Sequence, residues 1–449
     1  MRSLSIFQIT LLAVFGSLAV VGVVVFALFV GSGGGNIVGP VTIWGPFDAT
    51  TFKNVIAQAS ESESRLTQVT YVQKDAATYE AEITNALASG DGPDIFILRQ
   101  DYALRDSGKI MSTPYSGPTG ISQSQFENTF VEAANPYLSY AGILGLPFLT
   151  DPLVLYWNRD LLSSGGYSQP PRYWDQLGDM VQKLTRRNDA GTILKATIPF
   201  GSFANVDNAK DILSVLILQA GGDITREDKT GRLVPALSAR TGDTSQAAES
   251  AVRFYTEFAD PSKANYSWNG SFPHSQATFA AGDLAFYVGF ASEKSAIAKT
   301  NPNLNFDVAP MPQIRGADRA TTVAHVYAFA LTRTSGNPQG ALTIASLLSA
   351  TDLSQALSEA FAIPSARRDV LSAYQSQSNV AGGLAGTGLC EGQNVSICSA
   401  TFSRAWADPD PDKTNDIFRD MINGVTSGSI APTEAVQRAD KELGQTIGQ

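Results

Sequence analysis

With 449 residues the chain is long enough for two packed bodies rather than one. Its apolar fraction of 43% and charged fraction of 16% are those of a globular protein somewhat poor in charge. A net charge of −10 without any basic run excludes a binder of nucleic-acid backbone. Two histidines and two cysteines exclude a His/Cys zinc cluster and leave little material for histidine-based catalysis.

Residues 6–30 are apolar almost throughout, with Gln8, Thr10 and Ser17 as the polar members. A helix of about 25 residues spans roughly 37 Å, enough for a hydrocarbon core of about 30 Å. Arg2 precedes the run and no charge follows before Asp48, so positive-inside reasoning leaves the N-terminus cytoplasmic and the rest outside. Residues 1–30 are expected to be a single-pass membrane anchor and residues 31–40 a Gly-rich linker. A signal peptide cleaved at Val30-Gly31-Ser32 is the alternative; the length of the run favours an uncleaved anchor. No cysteine occurs before Cys390, which excludes lipid attachment there.

Val41 to Trp44 reads as a first strand, with Asp48 as a candidate helix cap. Phe52, Val55, Ile56 and Ala59 then form a helical stripe. Residues 68–72 alternate as a second strand. Tyr79, Ile83, Ala86 and Leu87 stripe a second helix that Gly90 stops, and Asp94 to Leu98 is a third strand. Strand and helix alternating in this way predict a parallel sheet with crossover helices. Leu153 to Trp157 is a short apolar run suited to a strand buried on both faces, and Asp151-Pro152 is expected to interrupt the chain just before it. Trp174, Leu177, Val181 and Leu184 share a helical face, as do Ile212, Val215, Leu216 and Ala220. Residues 308–312 and 323–332 read as two strands returning to the first body. Residues 341–349 read as a helix, and Ala435, Val436, Ala439, Leu443 and Ile447 stripe a final one. Cys390 and Cys398 lie eight positions apart in a Gly/Ser-rich stretch, and outside the cell they are expected to be joined.

Several segments in this order resemble family 1 extracellular solute-binding proteins, the maltose-binding-protein-like group. They are Val41-Thr-Ile-Trp-Gly45, Gly90-Asp-Gly-Pro-Asp-Ile95, Gly145 to Leu162, Pro170-Pro-Arg-Tyr-Trp-Asp-Gln-Leu177, Phe279 to Phe286 and Ala362 to Arg367. The resemblance covers the chain from Val41 onward. It implies an α/β, two-lobed fold of the type II periplasmic-binding-protein kind with crossover hinge strands. Residues 41–149 and 306–349 are expected to form the first lobe, and 150–305 and 350–449 the second. It also implies a monomer that closes on a small polar ligand, a carbohydrate first, and serves an ABC permease. A surface-anchored glycan hydrolase or adhesion protein is the alternative.

No nucleophile elbow, zinc-protease motif or phosphate loop occurs, so no catalytic residue, metal or cofactor is expected. Ligand contacts are sought where strands end and lobes meet. Trp44 could face a sugar ring or be core, and Asp48 could touch ligand or simply cap its helix. Arg99, Gln100 and Asp101 follow the third strand. Asp151, at the lobe boundary, can accept two hydrogen bonds from vicinal hydroxyls. Phe203, Asn205, Asp207, Tyr287 and Phe290 fall where the second lobe would contribute, with Gly289 allowing close backbone approach. His325 is read as buried and satisfied or as a contact, and Arg367 as a cleft or a surface arginine.

Overall fold

A computed structural model describes residues 38–116, 120–239, 247–377, 390 and 394–448. The expected anchor over 1–30 and most of the 31–40 linker lie outside the described residues. Among the described residues no helix is long and apolar enough to cross a membrane.

The first body opens with β1 (Val41–Gly45), α1 (Ala49–Ser60), β2 (Val69–Gln73), α2 (Tyr79–Ser89) and β3 (Ile95–Arg99). β1 lies between β2 and β3 and is parallel to both. The helices cover the sheet by burying Phe52 and Ile56 from α1 and Tyr79 and Ile83 from α2. A spacing of four places each pair on one face of its helix. Gly90 ends α2 with φ of 82°, a left-handed conformation that costs glycine no side-chain clash.

β4 (Leu146–Asn158) is the longest strand, and all of its residues are buried. In the second body follow α3 (Leu177–Leu184), α4 (Ala209–Gln219), α5 (Ala247–Glu257), β5 (Phe286–Phe290) and β6 (Phe306–Ala309). Then come β7 (Thr322–Leu331), α6 (Pro338–Leu348), α7 (Thr351–Phe361), α8 (Arg368–Gln377), α9 (Pro411–Thr426) and α10 (Pro432–Ile447).

β4 pairs antiparallel with β7 from Leu146↔Phe329 to Pro152↔Ala324. From Leu153 onward its partners are β5 and β6. The interruption expected at Asp151-Pro152 does not occur. Pro152 falls where the strand exchanges one set of neighbours for another, so its missing N–H breaks no continuing ladder.

Two hydrophobic cores result. Phe52, Ile97, Phe148, Val326, Phe329 and Leu357 belong to the first, and Tyr156, Trp174, Leu216, Tyr255, Phe286 and Phe418 to the second. This corrects the expected lobe boundaries at two places. β6 hydrogen-bonds to the second-lobe half of β4 and does not return to the first lobe. The helices over 351–377 do not join the second lobe, because Leu357, Ile363, Ala366 and Leu371 pack into the first core, as does Ala400 further on. The tail containing α9 and α10 packs with the second, through Ile417, Phe418, Val436 and Leu443, and Val395 also reaches that core.

Among the described residues the chain therefore crosses between cores three times: along β4, along β7, and through Ser403–Arg404, which pairs parallel with Thr322–Val323. At this third crossing Glu132 of the first lobe accepts from Arg404 (2.9 Å) and Arg319 (3.1 Å). Cys390 and Cys398 are joined by a disulfide.

Candidate functional site at the lobe crossing

Three segments converge on the crossing. At the end of β3, the Arg99 guanidinium holds Asp101 with two hydrogen bonds of 2.7 Å. Burial pushes the Asp101 carboxyl up, but Arg99, with help from His325 and Lys210, outweighs it and holds it down at about 2. The Tyr102 ring is covered by Arg99 (5.1 Å) and Arg105 (4.2 Å).

On β4, Asp151 is 2% exposed and lies directly opposite His325 of β7. The Ser292 N–H donates to its Oδ1 at 3.0 Å. Burial dominates here and lifts the carboxyl to about 6, against the pull of Ser292 and His325. The His325 ring stacks on Phe290 with centroids 3.9 Å apart, and its Nε2 lies 3.7 Å from Asp211 Oδ1.

From the second lobe comes Lys210, in the first turn of α4. Its Nζ donates to Asp408 (2.6 Å) and Thr414 Oγ1 (2.7 Å) and lies 5.3 Å from the centre of the Trp406 ring. Burial lifts the Asp408 carboxyl to about 6 in spite of Lys210, and the charge of Asp101 across the lobe boundary adds to the rise. Asp101 therefore interacts electrostatically with His325, Lys210 and Asp408, although these groups come from both lobes.

Five of the expected site residues, Arg99, Asp101, Asp151, Phe290 and His325, are brought together here. The others make contacts of their own where they stand. Lys74 Nζ lies 3.8 Å over the Trp44 ring, and Asp48 caps α1 by accepting from Thr51 N at 2.7 Å. Gln100 is buried and bonds to the backbone of Val326 and Ala324, filling a gap between β3 and β7. Asn205 spends its amide on Asn269 O, Phe272 O and the Trp268 indole N–H. Asp207 accepts from Ser275, Gln276 N and His274, and Phe203 packs on the second core. Tyr287 is fully buried and donates to Glu293. A Cβ on Gly289 would meet the Tyr287 ring at 2.5 Å and Glu293 Oε2 at 2.8 Å, so this glycine makes room for that internal pair. Arg367 is bonded to Asp369 and Ser349 O within the first lobe.

Sequence reasoning missed Lys210, Asp408 and Glu293. Asp408 stands in an Asp-Pro-Asp-Pro run that signals a turn but not its partner 198 positions away. Glu293 is satisfied by neutral donors: Tyr287 OH, Gln276 Nε2, Asn208 Nδ2 and Phe290 N. Its position three residues after Phe290 was the available signal, since it closes the turn that follows β5.

Chemically, the cluster offers charged acceptors and donors from both lobes. Among the described residues no group of three His, Cys, Asp or Glu side chains could hold a metal ion. Such a site suits binding of a polar solute by hydrogen bonds.

Solved structures share the fold along nearly their whole length. A cyclic α-maltosyl-1,6-maltose binding protein from Arthrobacter globiformis superposes with a TM-score of 0.71 at 15% identity, covering 91% of this chain and 99% of that one. An ABC transporter solute-binding protein from Thermotoga lettingae, bound with α-D-tagatose, gives 0.67 at 18% identity, with 91% and 100% covered. The GacH receptor of Streptomyces glaucescens, solved unliganded and with acarbose, gives 0.66 at 17% identity, with 92% and 99% covered. A probable ABC transporter-binding protein of Deinococcus radiodurans is 43% identical over 42 residues, which is 9% of this chain and only 10% of that relative. The match to the model of the bacterial extracellular solute-binding protein family runs over residues 49–352. A family of binding proteins rather than enzymes, two lobes joined by three crossings, and charged groups gathered between them agree: the chain is a member of the bacterial extracellular solute-binding protein family.

Proposed function

We propose that this protein is a membrane-tethered extracytoplasmic receptor whose lobes close on a carbohydrate and deliver it to an ABC importer. The observation that carries the reading is the meeting of Arg99, Asp101, Asp151, His325 and Lys210 from both lobes, within a fold shared with receptors for tagatose and acarbose. Carboxylates and cations fixed on two lobes can bond to several hydroxyls of one ligand, and a ligand touching both lobes favours the closed form by its differential affinity. The tether rests on the apolar run over residues 6–30, and the protein acts as a monomer facing its permease.

Calorimetry and thermal-shift screening of the full chain in detergent, against mono- and oligosaccharides, test the ligand. A saturable response to a sugar that is recovered chemically unchanged is expected. Silence toward every carbohydrate overturns the ligand class, and turnover of the sugar overturns the receptor. Intact mass of protein isolated from membranes tests the tether; an N-terminus near Gly33 overturns it.

One observation favours a second reading. The aromatic faces near the cluster are covered by cations: Tyr102 by Arg99 and Arg105, and Trp406 by Lys210. A sugar's C–H face needs an open ring, so a polar solute held by hydrogen bonds and charge alone, such as a peptide, is the second ligand class, and the same screen extended to peptides separates the two.

A further inference from the structure

Arg105 is fixed to the first lobe by more groups than one ion pair requires. Its Nη2 donates to Glu80 at 2.7 Å and to Asp106 at 3.1 Å, its Nε donates to Asp106 at 3.1 Å, and its plane lies over Tyr102. Asp106 is buried and Glu80 only partly exposed, so the guanidinium is held in place before anything reaches it from outside. Nη1 points the other way. It meets Asp412 Oδ2 at 3.2 Å. Asp412 stands in the first turn of α9, whose Ile417 and Phe418 belong to the second core. This pair therefore joins the lobes across the cleft, between the end of β3 and the start of α9.

We infer that Arg105 and Asp412 form a closing bridge that sets the balance between open and closed lobes, and hence the affinity for any cleft ligand, without touching that ligand. The pair can form only when the lobes are together. Its whole contribution then falls on the closed state, and a contribution to one state alone shifts the equilibrium. Asp412 is 76% exposed, so the bridge is weak and screened by salt. Its worth corresponds to about a two- to fivefold change in the closed-to-open ratio. Arg105 and Asp412 are positioning residues. Losing the bridge weakens all ligands by a common factor, whereas losing a contact residue discriminates among them. The inference rests on the two-lobed receptor reading but not on the class of ligand.

The test is therefore made without ligand. Spin labels at Tyr140→Cys in the first lobe and Leu194→Cys in the second use two exposed positions, and the native cysteines are occupied by their disulfide. Pulsed electron resonance on the full chain in detergent reads the distance between lobes. The parent is expected to show a substantial short-distance population. Asp412→Lys and Asp412→Asn should move it toward long distances by about twofold or more in ratio, while Asp412→Glu retains the parent distribution. Salt near 1 M should open the parent and leave Asp412→Asn unchanged. Unchanged distances in Asp412→Lys overturn the inference, as does Asp412→Glu opening as far as Asp412→Lys, or a parent that is wholly open. Failure of the carbohydrate screen leaves these distances unaffected, so the two ideas fail separately.

Discussion

Asp101 and Asp151 stand at the same lobe crossing, both largely withdrawn from water, yet one carboxyl sits at about 2 and the other at about 6. Burial raises both. The difference is Arg99, two residues from Asp101 and bonded to it twice, whereas Asp151 has one backbone N–H and a histidine on the neighbouring strand. Asp408 shows that a cation alone does not decide the matter, since it keeps Lys210 and still rises to about 6. What matters is the excess of pairing over desolvation.

The strongest way to break this comparison is Arg99→Met. It should leave Asp101 withdrawn and unpaired, at a cost of about 2–4 kcal/mol near pH 7. The lower part of that range reflects the side chain's 31% exposure. Because Asp101 lies below its unfolded value, its stabilisation is present above about pH 4 and lost as pH falls toward about 2, so the cost should shrink in acid. Denaturant titrations at pH 7 and pH 3 measure this, and equal losses would contradict it.

Lys210→Met should cost less, about 1–3 kcal/mol at pH 7, because Asp408 can take up a proton and keep its bond with Thr414. Denaturant titration checks the loss, and carbon-detected titration should show the Asp408 carboxyl rising further above about 6.

Asp151→Asn should reverse the sign. A folded-state value raised to about 6 means that the folded form binds its proton more tightly than the unfolded chain, so wild-type stability declines as pH climbs from about 4 through about 6. The amide keeps an acceptor for Ser292 N and removes that decline. A gain of about 1–2 kcal/mol at pH 7, vanishing near pH 4, is expected in thermal unfolding. The same variant should bind the cleft ligand about tenfold more weakly by calorimetry, having lost a charged acceptor.

Asp48→Ala should do least. Asp48 owes its low carboxyl to the Thr51 backbone N–H and hydroxyl at a helix start. Calorimetry should find ligand affinity unchanged, which would sharpen the division between aspartates that cap and aspartates that meet across lobes.

The sequence carried those features that local spacing records. Stripes such as Phe52 and Ile56, or Tyr79 and Ile83, point inward as their four-residue intervals require. The run from Leu153 to Trp157 is buried on both faces as its unbroken apolarity demands. Asp151 was legible because it stands just before that run, at the expected lobe boundary. The cluster around it was not. Lys210 gives no sign of Asp408, nor Arg105 of Asp412, since these pairs are set by how two finished lobes come to rest. Asn205, Asp207 and Tyr287 had the right chemistry for ligand contacts, but nothing local revealed the indole, helix end and carboxylate that already occupy them. The lobe to which α7 and α8 belong is illegible for a related reason: both helices are amphipathic, and amphipathicity says that a face is covered without saying by what.

Three strands of chain passing between the lobes side by side have a mechanical consequence. A single flexible connection would let one body swivel, tilt and slide against the other, and every encounter across the gap would have to be found by search. β4, β7 and the Ser403–Arg404 segment are laced to one another by ladder hydrogen bonds, so they can flex together but can scarcely twist past each other. The permitted motion reduces to bending about one line. The proposed closure would then return Asp101 toward Lys210 and Arg105 toward Asp412 in the same alignment, with most of the orientational entropy of assembling the site already lost when the chain folds.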